Sequence, residues 1–176
     1  IYGQPVLRKE AEDITPDYPN LKQLLENMFE TMDRADGCGL AAPQIGLPIQ
    51  LFIVDLSVMA DDEPSYANFK KVFINPEILE FSEDTETAEE GCLSIPGVSE
   101  KVKRSLSVTI HYMDENWQEH TETYTGFPAR AIQHEYDHLQ GKVFIDRISP
   151  IRRQLIGSKL TAISKGKISC RYKYKN

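Results

Sequence analysis

Cysteine is scarce: it occurs three times in 176 residues, as Cys38, Cys92 and Cys170. An odd, sparse set argues against a disulfide framework and points to a reducing compartment, so a cytoplasmic setting is expected. No apolar run approaches the roughly 20 residues that cross a bilayer. The longest apolar-rich stretch, IQLFIVDL, has the length of a strand. Positive charge is also short: the net charge is -7, which excludes binding of DNA by the whole protein through charge. Internal repeats and low-complexity segments are missing. The sequence opens at Ile1, without a methionine, so the lack of a leader excludes nothing.

What remains is an ordinary globular composition, 40% hydrophobic and 27% charged, at a length that suits one domain spanning 1–176. Leu21, Leu24, Leu25, Met28, Phe29 and Met32 recur with helical period, which predicts an amphipathic helix capped by Asn20 and ended near ADGCG. IQLFIVDL, KVFINPEIL, SLSVTIHYM and EHTETYT read as strands, and ADDEPSYANF as a loop. FPARAIQHEYDHLQG reads as a second helix, with Pro128 in its first turn and Gly141 just past its end. SPIRRQLIGSKLTAI reads as a third helix, and KISCRYKY alternates like a terminal strand. The order of these elements predicts an α+β fold, with mixed or antiparallel sheets packed around a central helix.

That central helix carries H-E-x-x-H as His134, Glu135 and His138. Residues at i and i+4 share a helix face, so two imidazoles can grip one metal ion, with Glu135 placed as a base. A catalytic centre of this kind needs a third protein ligand. Downstream of His138 the only candidates are Asp146, which also reads as a charge partner of Arg147, and Cys170, which reads as packing. Upstream, His111 and His120 sit in strand-like surroundings that suit surface roles. Cys38 and Cys92 each follow a glycine and offer a thiolate. Cys92 is preferred, though either also reads as a small buried hydrophobe.

Three motifs, GCGLAAPQIG (37–46), EGCLSIPG (90–97) and QHEYDHLQG (133–141), closely resemble those of the peptide deformylases, in the same order. YGQPVLRKEAEDI resembles the opening of that family, and the likeness runs to about Ile148. The resemblance implies one divalent metal held by Cys92, His134 and His138, typically Fe²⁺, with Zn²⁺, Ni²⁺ or Co²⁺ able to replace it. It implies hydrolysis of the formyl group from the formyl-methionine of nascent polypeptides. Glu135 is then the base, and the Gln44 side-chain amide and the Leu93 N–H are donors to the oxyanion. Gly37 and Gly39 are expected beside an extended peptide, with Cys38, Phe127, Arg130 (through its stem) and Ala131 around the methionine side chain. Glu90 and Arg104 are expected to pair behind the ligands and steady them, and Asp137 to orient a ligand or a neighbouring turn.

The family usually has an aliphatic residue where this chain has Cys38, so a second thiol near the metal is an oxidation site or a competing ligand. After His138 lie 10 of the 20 basic residues and one acidic residue, Asp146. This basic tail reads either as a solvated surface or as a transient contact with the ribosome. Two other functions remain open: an H-E-x-x-H metallopeptidase, and a non-catalytic binding module of the same fold.

Overall fold

The computed structural model describes all residues, Ile1–Asn176. Five strands form an antiparallel sheet in the order β1 (Gly39–Ala41), β2 (Leu51–Asp55), β3 (Lys70–Phe81), β6 (Ser107–Met113) and β7 (Glu119–Thr125). A separate antiparallel hairpin joins β4 (Thr85–Cys92) to β5 (Ile95–Ser105). Helix α1 (Leu21–Arg34) covers one face of the large sheet and α2 (Phe127–Leu139) the other.

This layering explains why β2 is apolar without alternation. Leu51 and Ile53 point toward Leu25, Met28 and Met32 of α1, whereas Phe52 and Val54 meet Ala129, Ile132 and Leu139 of α2. Both faces of the strand are buried along Leu51–Val54, so these four positions are all apolar and the charge comes only at its end, Asp55. Asn75 in β3 has a left-handed backbone, with φ of 47°, at a register shift against β6. Its side chain both accepts from the Ile14 N–H at 3.0 Å and donates to the Ile14 carbonyl at 2.8 Å, which ties the N-terminal segment to the sheet.

The α+β expectation holds, and all strand pairings are antiparallel. Several local expectations need correction. Asn20 sits in the left-handed region (φ 56°) and makes no side-chain cap; its carbonyl still accepts the first helical bond from Leu24. The third helix is two, α3 (Pro150–Leu155) and α4 (Gly157–Ser164), divided at Ile156. The loop after β2 contains two 3₁₀ turns, Ser57–Met59 and Pro64–Tyr66. Residues 167–176 form no strand. Their alternation is nevertheless real: Ile168, Cys170, Tyr172 and Tyr174 are half-buried and the residues between them exposed. The segment lies on the body without pairing to either sheet.

The β4–β5 hairpin is the element that apolar patterning missed. In β5 the buried positions are Ile95, Val98, Glu100, Val102 and Arg104, so two of the five are charged. Beneath it, Val143, Phe144, Ile145, Leu160 and Ile163 complete a third apolar cluster.

Phe73 is fully buried and stacks on Phe52 with ring centroids 4.6 Å apart. Phe73→Ala is expected to cost about 3–5 kcal/mol of unfolding free energy, read from the midpoint of a denaturant titration. A loss below about 1 kcal/mol would contradict the packing described.

Candidate active site

Helix α2 starts from Gly126, takes Pro128 in its first turn and ends before Gly141, whose positive φ of 70° closes the helix. Ten of its thirteen residues are buried, among them Arg130, Glu135, Asp137 and His138. Buried charge must be paired, and the pairing arranges the site.

Glu90 of β4 is the hub. One carboxylate oxygen accepts from Arg104 Nε at 2.6 Å and from Arg130 at 2.7 Å. The other accepts from a second nitrogen of Arg104 at 2.8 Å and from His134 Nδ1 at 2.8 Å. Arg104 continues to Asp137 at 2.9 Å, and Asp137 takes two bonds from Arg147, both at 2.6 Å. Burial opposes ionisation of Glu90, but His134 and Arg104 outweigh it and bring its pKa down to about 2. The expected Glu90–Arg104 pair is thus present and buried. Asp137 extends it. The expected Asp146–Arg147 pair is absent: Asp146 instead holds Arg8 at 2.5 Å and Arg153 at 3.1 Å, because Arg147 is turned inward to Asp137.

The bond to Glu90 fixes the ring of His134 and directs its Nε2 toward Cys92 and His138. The ligating atoms of Cys92, His134 and His138 lie within 4.8 Å of one another, the group in the molecule best spaced for a cation. Cys92 Sγ and His138 Nε2 are 3.4 Å apart, close to the about 3.5 Å that metal–sulfur and metal–nitrogen bond lengths imply for a tetrahedral site. Burial opposes ionisation of the Cys92 thiol, yet His138 and His134 bring its pKa well below the usual range. Burial likewise opposes a charge on His134, and Cys92 and Glu90 raise its pKa well above the usual value. A thiolate held between two imidazoles is the donor set that a borderline divalent metal takes, so the residues fit such an ion.

Glu135 stands beside this group. Burial, aided by Cys92 and opposed by the two histidines, lifts its pKa to about 7. One of its oxygens is buried with no partner in the protein. At Gly39 a Cβ would fall 2.5 Å from the other Glu135 oxygen, so only glycine lets β1 pass this close. Gln44, in the 3₁₀ turn Ala42–Ile45, accepts from the Ala41 N–H at 2.9 Å and donates to Ser94 Oγ at 3.0 Å and toward Cys92 Sγ at 3.5 Å. The Leu93 N–H donates to no group of the protein.

Gly39, Gln44, Cys92, Leu93, His134 and Glu135 line one cavity of about 560 Å³, which also takes in Gly37, Cys38, Phe127, Arg130 and Ala131. The Arg130 guanidinium is tied to Glu90 and to the carbonyls of Val102 and Glu86, which leaves its stem to the cavity. Burial pushes the Cys38 thiol up to about 11, so it stays protonated, and it stands outside the cation-spaced group. His111 and His120 bond Glu119 and Asp114 on the sheet, away from the cavity. Sequence reasoning missed Ser94, which joins Gln44 to the Cys92 loop, and the C-terminal residues 169–172, which also line the cavity. The serine inside EGCLSIPG was a usable signal; nothing in the C-terminal alternation said what it would pack against.

The folded-state pKa of Glu90 lies below its ordinary value, so its pairing stabilises fully above pH 4.5 and is lost as pH falls toward 2. Glu90→Gln is expected to cost about 3–5 kcal/mol at neutral pH and to flatten the loss of stability in acid, read by denaturant titrations at several pH values. An unchanged acid limb would contradict the role given to Glu90.

Comparison with known proteins places this geometry. A family model described as polypeptide deformylase matches residues 1–154. The peptide deformylase of Christiangramia forsetii is 52% identical over 179 residues, covering 98% of this chain and 91% of the relative. That of Flavobacterium johnsoniae is 48% identical over 181 residues, covering 99% and 92%. Among solved structures, Plasmodium falciparum peptide deformylase is 34% identical with a TM-score of 0.84, covering 94% of each chain. Arabidopsis thaliana peptide deformylase 1B in complex with an inhibitor is 37% identical with a TM-score of 0.83, covering 94% of this chain and 89% of that one.

Proposed function

The chain belongs to the polypeptide deformylase family, and from that premise we propose how its residues carry out the reaction. It is a hydrolase that removes the N-formyl group from nascent polypeptides. In our reading residues 1–176 work as one catalytic domain, in a bacterial-type cytoplasm.

The observation that carries the assignment of residues is the unpartnered oxygen of Glu135, which stands beside the Cys92, His134 and His138 group at the wall of the cavity. The formyl-methionyl peptide lies extended between Gly37 and the free edge of β1 at Gly39 on one side and Gly91 of β4 on the other, as an added strand. Its methionine side chain enters among Cys38, Phe127, the stem of Arg130 and Ala131. Cys92, His134 and His138 would hold a divalent cation, which would supply Lewis acidity that lowers the pKa of water and makes hydroxide available near neutral pH. Glu135, with its pKa near 7, takes the proton of the attacking water and passes it to the leaving nitrogen. The Gln44 amide and the Leu93 N–H stabilise the oxyanion that develops on the formyl oxygen, each worth about 3 kcal/mol. Collapse breaks the C–N bond, releasing formate and a free amino terminus. We take the cation to be Fe²⁺, with Zn²⁺, Ni²⁺ or Co²⁺ as replacements that the same donors accept.

Glu135→Ala is expected to lower formate release from formyl-Met-Ala-Ser by at least about a hundredfold while the folded protein still binds its metal. Near-normal turnover would overturn the mechanism. Cleavage of peptide bonds in unformylated Met-Ala-Ser would favour a peptidase instead.

The basic C-terminal region supports a transient ribosome contact less than its composition suggests. Arg147, Arg152, Arg153 and Arg171 are engaged in ion pairs within the chain. Lys142, Lys165, Lys167, Lys173 and Lys175 stand outside these pairs, and we propose that they make the contact. Salt-sensitive co-sedimentation with ribosomes, reduced in a variant with glutamine at these five positions, is the expected result. Equal sedimentation of the variant would contradict it.

A further inference from the structure

The C-terminal segment brings one side chain to the backbone beside the reacting atoms. After α4 the chain runs along the hairpin and folds on itself: the Tyr174 hydroxyl donates to the carbonyls of Ile168 at 2.8 Å and Gly166 at 3.2 Å. The stretch Ser169–Tyr172 thereby reaches the wall of the catalytic cavity. There the half-buried Tyr172 hydroxyl donates to the carbonyl oxygen of Leu93. The neighbouring Arg171–Asp36 pair is exposed on both sides, so it contributes little to holding this stretch in place.

Leu93 and Ser94 form the short bend between β4 and β5. The Ser94 carbonyl is held by the Tyr2 N–H at 2.7 Å, and the Ser94 N–H points to Cys92 Sγ at 3.4 Å. The Leu93 carbonyl has one partner, Tyr172, and the Leu93 N–H has none. The Leu93 N–H shares a peptide plane with the Cys92 carbonyl and lies across the Leu93 Cα from the carbonyl that Tyr172 holds, so fixing that carbonyl restricts rotation about Leu93 and steadies the N–H. A donor stabilises an oxyanion only when it is aimed before charge develops.

We propose that Tyr172 is a positioning residue for deformylation: its hydroxyl clamps the Leu93 carbonyl and so aims the Leu93 N–H at the developing oxyanion. The inference rests on the assignment of Leu93 as an oxyanion donor. The tyrosine touches neither substrate nor metal in this role. The C-terminal segment is thus part of the working site, reached through a backbone carbonyl.

The test is steady-state kinetics on the full-length, metal-loaded protein with formyl-Met-Ala-Ser. Tyr172→Phe keeps the ring and removes only the donor. It is expected to lower kcat about five- to tenfold, the worth of one neutral hydrogen bond, with KM, metal content and Tm unchanged. Tyr174→Phe, which loosens the segment's internal fold but leaves the Tyr172 hydroxyl, is expected to lower kcat by less. A wild-type kcat in Tyr172→Phe, a raised kcat, or a loss of kcat matched by a loss of metal or a rise in KM would overturn the proposal. Leu93→Pro, which removes the N–H itself, separates the two levels. If it retains metal and full kcat, the donor assignment fails; if it loses kcat while Tyr172→Phe does not, only the role of Tyr172 fails.

Discussion

Glu90 accepts four hydrogen bonds from Arg104, Arg130 and His134, and this buried carboxylate joins the parts of the molecule that make the site. It belongs to β4, Arg104 to β5, and Arg130 and His134 to α2. Arg104 passes the connection to Asp137, and Asp137 passes it to Arg147. Leaving any one of these charges buried and alone costs about 3–5 kcal/mol. The hairpin and the helix therefore have little freedom to shift relative to each other. A hydrophobic interface of similar size would bind them as well, but it would not set the tautomer and direction of the His134 ring.

That constraint converts a common sequence pattern into a specific site. A helix with H-E-x-x-H supplies two imidazoles and a carboxylate on one face. The third donor comes from the hairpin, about forty residues earlier in the chain, and Glu90 sits two residues before it. The residue that aligns the histidine thus also fixes the strand that carries the thiolate. Gly39 adds the opposite wall: β1 can lie against Glu135 only because no Cβ intervenes. The carboxylate is left buried, raised in pKa and partly unpartnered, which suits a group that must accept and return a proton.

Much of this was legible in the residues. Helix periodicity gave α1, Pro128 and Gly141 bracketed α2, and the apolar run of β2 gave a buried strand. Two glycines before cysteines narrowed the third ligand to Cys92 or Cys38, and likeness to a known family favoured Cys92. The remainder was hidden for physical reasons. Hairpin β4–β5 buries Glu90, Glu100 and Arg104 where strands usually bury apolar residues, so its period of two was masked by charge. Arg147 was read with its sequence neighbour Asp146, but a partner one turn inside the helix holds it instead. The C-terminal alternation reported a real half-buried face, yet strand formation depends on a free edge, which sequence does not show. Ser94 and Tyr172 act on groups far away in sequence, and no local pattern marks such contacts.

The central claim is that one cation is held by Cys92 Sγ and the imidazoles of His134 and His138, with Cys38 outside its coordination. X-ray diffraction from crystals grown without oxygen, collected above and below the iron absorption edge, tests it most directly. The account predicts one anomalous peak per chain, at bonding distance from those three side chains and present only above the iron edge. A peak coordinated by Cys38, a peak elsewhere in the fold, or full activity in crystals and solution with no peak at all would contradict it.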